Sequence, residues 1–187
     1  KFLAFSGPQA RRAHYHGCVH VPEDYVAYFQ RHNVQGVVRL NKKLYEARRF
    51  EERGVRVHEL YFPDGSCPPH AILRRFIDIA EAEPGALAVH CKAGLGRTGV
   101  LISCYNMKHF GFTAREALAY IRICRPGSVI GPQQHFLCEM EQRMWMDGHN
   151  FRAKQGLPPS DRVPQPVAGG SALGGAGAAR DPRAALR

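Results

Sequence analysis

One run of ten residues, His90-Cys91-Lys92-Ala93-Gly94-Leu95-Gly96-Arg97-Thr98-Gly99, constrains this chain more than any other. An apolar stretch, Gly85 to Val89, leads into it, and a second, Val100 to Tyr105, leads out. The order predicts a strand, a tight loop and a helix. Backbone N–H groups in such a loop turn inward as an anion nest, and the helix behind adds its free N-terminal donors and the positive end of its dipole. Gly94 and Gly96 admit dihedrals that a Cβ forbids. Lys92, Ala93, Gly94, Leu95, Gly96 and Arg97 therefore read as a phosphate cradle, with the Arg97 fork gripping two oxygens. Cys91 sits on its floor, where positive potential favours a thiolate nucleophile. A plain core cysteine is the alternative, but a core has no use for Lys92, Arg97 or Gly-x-Gly-Arg-Thr-Gly beside it.

The rest of the chain supplies a scaffold. Its 187 residues, 44% hydrophobic, suit one domain and a tail. No apolar run is long enough for a bilayer, so no membrane role is expected. Lys1 opens directly on an apolar segment, which reads as a fragment of a longer chain. Cys18, Cys67, Cys91, Cys104, Cys124 and Cys138 are scattered, without metal-ligand spacing. They read as free thiols of a reducing compartment, cytoplasm or nucleus, one of them able to pair reversibly with Cys91. A net charge of +10 raises nucleic acid, but no such motif accompanies it. Pairs such as Lys42-Lys43 and Arg74-Arg75 read as solvated faces compatible with phosphorylated partners. His14, His16 and His20 alternate, but with no nearby carboxylate and no second cluster they do not read as a metal site.

Periodicity predicts strands at 2–5, 36–40, 55–62 and 85–90. It predicts helices from Pro22, over Glu46–Arg53, from Pro69 with Ile72, Phe76 and Ile79 on one face, and from the loop to Gly111. Thr113-Ala-Arg-Glu116 is a capping box for the next helix, and Pro132 opens the last, carrying Phe136, Leu137, Met140 and Trp145. Strand 55–62 turns wholly apolar toward its end, as if entering a sheet centre. The alternation predicts an α/β domain, a central and mostly parallel sheet flanked by helices, over residues 1–153. Residues 154–187, rich in Pro, Gly and Ala, read as a disordered tail.

His-Cys-x5-Arg-Thr-Gly resembles the signature of cysteine-dependent protein tyrosine and dual-specificity phosphatases. Lys1–Pro8, Val38–Lys43, Phe62-Pro-Asp-Gly-Ser66 and Arg122–Leu137 resemble the catalytic half of the Cdc-fourteen mitotic-exit phosphatases. The resemblance implies hydrolysis of phosphoserine and phosphothreonine before proline, and of phosphotyrosine, on mitotic kinase substrates. It also implies an upstream phosphatase-like domain that this sequence lacks. Asp64, on a Pro-Asp-Gly turn upstream of the loop, matches the family's general acid. Thr98 is placed to hydrogen-bond Cys91 and stabilise the departing thiolate. His90 reads as a residue ordering the loop, not a base. Gln133 and Gln134 resemble glutamines that place the hydrolytic water, and the sequence does not choose between them. No metal or cofactor is called for. Two rivals stand beside this reading. A phosphoinositide phosphatase often sets a second lysine in the loop, where this chain has Leu95. A phosphoprotein-binding module without turnover would need no intact Cys91, Arg97 and Asp64.

Overall fold

The computed structural model describes residues 1–11 and 19–160. His14, His16 and Cys18, and the tail from residue 161, lie outside them.

Among the described residues four strands form one sheet: β1 (Phe2–Phe5), β2 (Val34–Arg39), β3 (Arg56–Glu59) and β4 (Ala86–His90), in the order β1-β4-β2-β3. Every pairing is parallel. All four carboxyl ends therefore reach the same edge of the sheet, and parallel strands of this kind are covered on both faces. Helices α1 (Pro22–Arg31) and α2 (Arg48–Glu51) supply a smaller core of Phe29, Phe50 and neighbouring residues against Phe5, Val37 and Ala88. On the other face α3 (His70–Ala82), α4 (Gly96–Phe110), α5 (Ala114–Cys124) and α6 (Gln133–Lys154) bury the larger cluster against Val38, Leu40, Leu87 and Val89. Neighbouring strand residues thus serve opposite cores, as strand alternation requires.

Helix boundaries follow local chemistry. Pro22 begins α1 with Glu23 and Asp24 in the first turn, where acidic side chains favour the dipole. The α5 capping box forms as predicted: Thr113 Oγ1 accepts from Glu116 N at 3.1 Å, and Glu116 Oε2 accepts from Thr113 N at 2.7 Å. Gly111, with φ +65°, ends α4 in the left-handed conformation. Helix α4 is buried from Gly96 to Met107 and forms the pillar behind the loop.

Three expectations need correction. Helix α2 is a single turn, Arg48–Glu51, not Glu46–Arg53. Strand β3 is an edge strand with Arg56 and Glu59 exposed, and it does not enter the sheet centre. Its apolar end, Leu60 and Phe62, is buried because it leaves the strand toward the helical layer, with Leu60 N still bonded to Arg39 O and Phe62 N to Leu40 O. The buried face of α3 is Leu73, Phe76, Ile77 and Ala80, while Ile72 and Ile79 flank it half-buried. The last helix runs to Lys154, and residues 155–160 are turn and coil.

Helices α4 and α6 touch at Gly148. A Cβ there would lie 2.0 Å from Lys108 O, a backbone atom that cannot swing away. Gly148→Ala is expected to destabilise the fold by about 1–3 kcal/mol through overpacking. Thermal denaturation of parent and variant reads this as a lower Tm, and an unchanged Tm would mean the helices separate freely.

Candidate active site

The loop leaves β4 at His90 and enters α4 at Gly96. Its shape is set from outside, carbonyl by carbonyl. Cys91 O is bonded by His90 Nδ1 at 2.9 Å, and Lys92 O by Gly7 N–H at 3.0 Å. Ala93 O accepts from Ser6 Oγ at 3.1 Å and from Arg125 Nη2 at 2.9 Å. Gly94 O accepts from Arg125 Nε at 2.8 Å, and Leu95 O from Gly99 N–H at 2.9 Å. In a trans peptide the N–H points opposite to the preceding C=O. Carbonyls held outward leave the N–H groups of residues 92–96 on the inner side, which is the anion nest. Gly94, with φ +70°, is the one loop position where no other residue fits, since a Cβ would stand 2.0 Å from Phe5 O.

Cys91 is buried at the centre. Burial by itself would push its thiol up, but hydrogen bonds from the Thr98 side chain and from the backbone of Thr98, Leu95 and Gly94 outweigh it, so the thiol lies below its ordinary value. Thr98 Oγ1 is fully buried and completes no other hydrogen bond, which leaves its proton for the sulfur.

His90 is buried and, through burial, held neutral down to about 4 despite its bond to the Cys91 carbonyl. Because a carbonyl only accepts, Nδ1 carries the proton, and Nε2 accepts from Tyr45 Oη at 2.8 Å. Burial raises the Tyr45 phenol, which stays a donor. Arg39, itself buried, bonds Tyr45 O at 2.7 Å and Glu59 Oε2 at 2.9 Å, with its guanidinium 4.4 Å from the centre of the Tyr45 ring. A relay from Glu59 through Arg39, Tyr45 and His90 thus ends on the backbone of the nucleophile.

Arg97 lies in the first turn of α4, buried. Its Nη1 donates to Leu40 O at 3.1 Å and Phe62 O at 2.9 Å, tying it to the ends of β2 and β3. Nη2 stands 3.0 Å from Asp64 Oδ1, and Nε is buried without a partner. Asp64 is largely exposed at 67%, on a turn closed by Ser66 Oγ to Pro63 O at 2.8 Å. The carboxylate is therefore beside the nest yet open to a substrate.

Gln133 is fully buried, accepting from Ile130 N at 3.0 Å and donating to Ser66 O at 3.0 Å. A Cβ on Gly96 would be 3.0 Å from its Oε1. Gln134 turns away to Arg122 Nη2 at 3.2 Å. The structure thus brings together Cys91, Arg97, Thr98, Asp64 and Gln133 but not Gln134, and the Lys92 side chain is exposed. Sequence reasoning assigned no role to Tyr45, Arg39, Glu59, Arg122 or Arg125. Tyr45 and Arg125 reach the His90 ring and the loop carbonyls from far away in sequence, Glu59 holds Arg39, and Arg39 and Arg122 hold carbonyls six or seven residues on. Arg122 holds Ser128 O at 3.0 Å and Val129 O at 2.9 Å. Val129 is a β-branched residue at φ +61°, a conformation that costs about 1–3 kcal/mol and persists only where neighbours enforce it.

Among the described residues no group of three or more His, Cys, Asp or Glu could hold a metal ion. His20 does have a carboxylate near it, Asp24, at 3.6 Å. Cys67, Cys91, Cys104, Cys124 and Cys138 are all free thiols. No described helix is long and apolar enough to cross a membrane.

Residues 30–143 match the family described as dual specificity phosphatase, catalytic domain. Human dual specificity protein phosphatase CDC14A is 57% identical over 161 residues, 86% of this chain and 27% of that protein. Mouse CDC14B is 54% identical over 157 residues, 82% of this chain and 32% of that protein. The chain spans about a third or less of these relatives. Among solved structures, Tk-PTP in the active form shares 28% identity with a TM-score of 0.59, over 72% of this chain and 89% of its own. Kinase associated phosphatase has the same fold at 15% identity, TM-score 0.60, over 81% and 85%.

The hydrogen bonds onto Cys91 have a direct readout. Iodoacetamide alkylates the thiolate, so a depressed pKa brings its rate to half-maximum at a pH below that of an ordinary thiol. Thr98→Val removes one donor to the charged form and is expected to move that midpoint upward by about one unit. Coincident midpoints would show that Thr98 does not act on the sulfur.

Proposed function

This chain belongs to the dual-specificity phosphatase family, and we propose that it hydrolyses phosphoserine and phosphothreonine, with proline-directed sites favoured, and phosphotyrosine through a phosphocysteine intermediate. The observation that carries this reading is the inward ring of N–H groups around an acidified Cys91, with Arg97 Nε free on its edge and Asp64 at its mouth.

Phosphate enters the nest and competes with Asp64 for Arg97. Nε and Nη2 then form the fork on two equatorial oxygens, and the loop N–H groups take the charge that develops on them. The Cys91 sulfur attacks phosphorus, the S–P bond forms and the P–O bond to the serine, threonine or tyrosine breaks. Protonated Asp64 gives its proton to that leaving oxygen. Asp64, now a carboxylate, takes a proton from water as the water attacks phosphorus. The S–P bond breaks, and the thiolate returns to Thr98 and the N–H groups of Gly94 and Leu95. Gln133 is the glutamine we assign to placing this water, because its amide, held by Ile130 N and Ser66 O, lies beside Gly96 and keeps a second N–H and a second lone pair, while Gln134 points away to Arg122.

Similarity to CDC14A and CDC14B supports phosphorylated proteins as substrates and a role in cell-cycle control. A second phosphatase-like domain N-terminal to this segment is the partner expected to sharpen selectivity. The loop offers Leu95 where phosphoinositide phosphatases often set lysine, which favours protein substrates over inositol phosphates.

The leaving group tests the assignment of Asp64. An alkoxide from phosphoserine needs a proton far more than nitrophenolate does. Asp64→Ala is expected to lower kcat by about 10²–10⁴ on a phosphoserine-proline peptide, and by less on 4-nitrophenyl phosphate. Cys91→Ser is expected to abolish both, without added metal. Equal losses in Asp64→Ala would remove it as the acid, and phosphopeptide binding without phosphate release would favour a binding module.

A further inference from the structure

Arg125, the residue capping α5, takes no part in the chemistry above. It is half-buried, and its guanidinium faces the phosphate loop from behind. Nε donates to Gly94 O at 2.8 Å and Nη2 to Ala93 O at 2.9 Å, with Ser6 Oγ 3.3 Å from the same Nη2. One edge of a rigid fork thus engages two consecutive carbonyls in a fixed geometry that a flexible ammonium does not impose. Those carbonyls belong to the 93–94 and 94–95 peptides. Their N–H groups are those of Gly94 and Leu95, which point the opposite way.

We propose that Arg125 is a positioning residue of the phosphate loop, fixing these two peptides so that Gly94 N–H and Leu95 N–H face the Cys91 sulfur and the phosphate. The same two N–H groups are among the donors that overcome burial at Cys91. Bonding to the carbonyl end also polarises each peptide, strengthening its N–H as a donor. Arg125 is therefore to the outside of the loop what Arg97 is to the inside. Its kinetic consequence rests on the phosphatase reading, whereas its effect on the thiol does not.

The test uses the whole chain with Arg125→Lys and Arg125→Met. The lysine variant keeps the charge but loses the rigid planar fork that fixes the two carbonyls relative to one another, and it serves alone should the methionine variant not fold. Two quantities are read: the pH midpoint of Cys91 alkylation, located by peptide mass spectrometry, and kcat on 4-nitrophenyl phosphate. Expected is a midpoint raised by about one unit in both variants, with kcat lowered about 10- to 100-fold by the misplaced donors. A midpoint at the parent value in Arg125→Lys overturns the proposal, whether positioning is unnecessary or the positive charge alone suffices. A raised midpoint in variants of a parent that releases no phosphate upholds the proposal and sinks the phosphatase reading.

Discussion

Five outward-facing carbonyls, Cys91 to Leu95, are the interactions on which the rest of this site depends. Left to itself, a glycine-rich loop samples many conformations, and aligning its N–H groups costs conformational entropy. Here hydrogen bonds from the rest of the folded chain offset that cost. The pins come from separate places: β1's continuation at Ser6 and Gly7, the His90 ring, the end of α5, and the first turn of α4. Parallel pairing makes this possible, because Phe5 and His90 are in register and the chains that follow them emerge side by side. The neighbouring strand ends complete the pocket, since Leu40 and Phe62 supply the carbonyls that hold Arg97.

Buried charge sets the second constraint. A guanidinium out of water needs every donor matched or used. Arg39 meets this with Glu59, Tyr45 O and an aromatic face, and it is structural. Arg97 meets it only in part, with two carbonyls, the exposed Asp64 and a bare Nε. That difference separates a supporting arginine from a ligand-binding one. The strained Val129 fits the same logic: Arg122 holds its carbonyl and Gln133 the next N–H, so the segment packs against Gly99 at the base of the loop.

The sequence made the loop, its flanking strand and helix, the capping box at Thr113 and the turn at Asp64 legible, because each rests on residues a few positions apart. Edge and centre were not legible for β3. An apolar end looks the same whether it enters a sheet or dives under a helix. The face of α3 was misphased because Ile72 and Ile79 obey helical spacing as well as the truly buried Leu73, Phe76, Ile77 and Ala80 do. Tyr45, Arg122 and Arg125 were invisible for a different reason. Tyr45 meets the His90 ring and Arg125 the loop carbonyls only through folding, and although Arg122 and Arg125 lie in a segment that carries the resemblance, no local pattern shows which carbonyls they hold. Gln133 was recoverable: it shares the helical face of Phe136, Leu137 and Met140, all buried, and Gln134 does not.

The measurement that bears most directly on a prebuilt nest is the amide spectrum of the ¹⁵N-labelled chain titrated with inorganic phosphate. A nest already formed predicts shifts concentrated in the amides from Lys92 to Thr98, with those of Ser6, Gly7 and Ile130 nearly still. Large shifts spreading through those flanking residues would mean that the anion builds the loop, and no shift within it would mean that the loop does not bind phosphate.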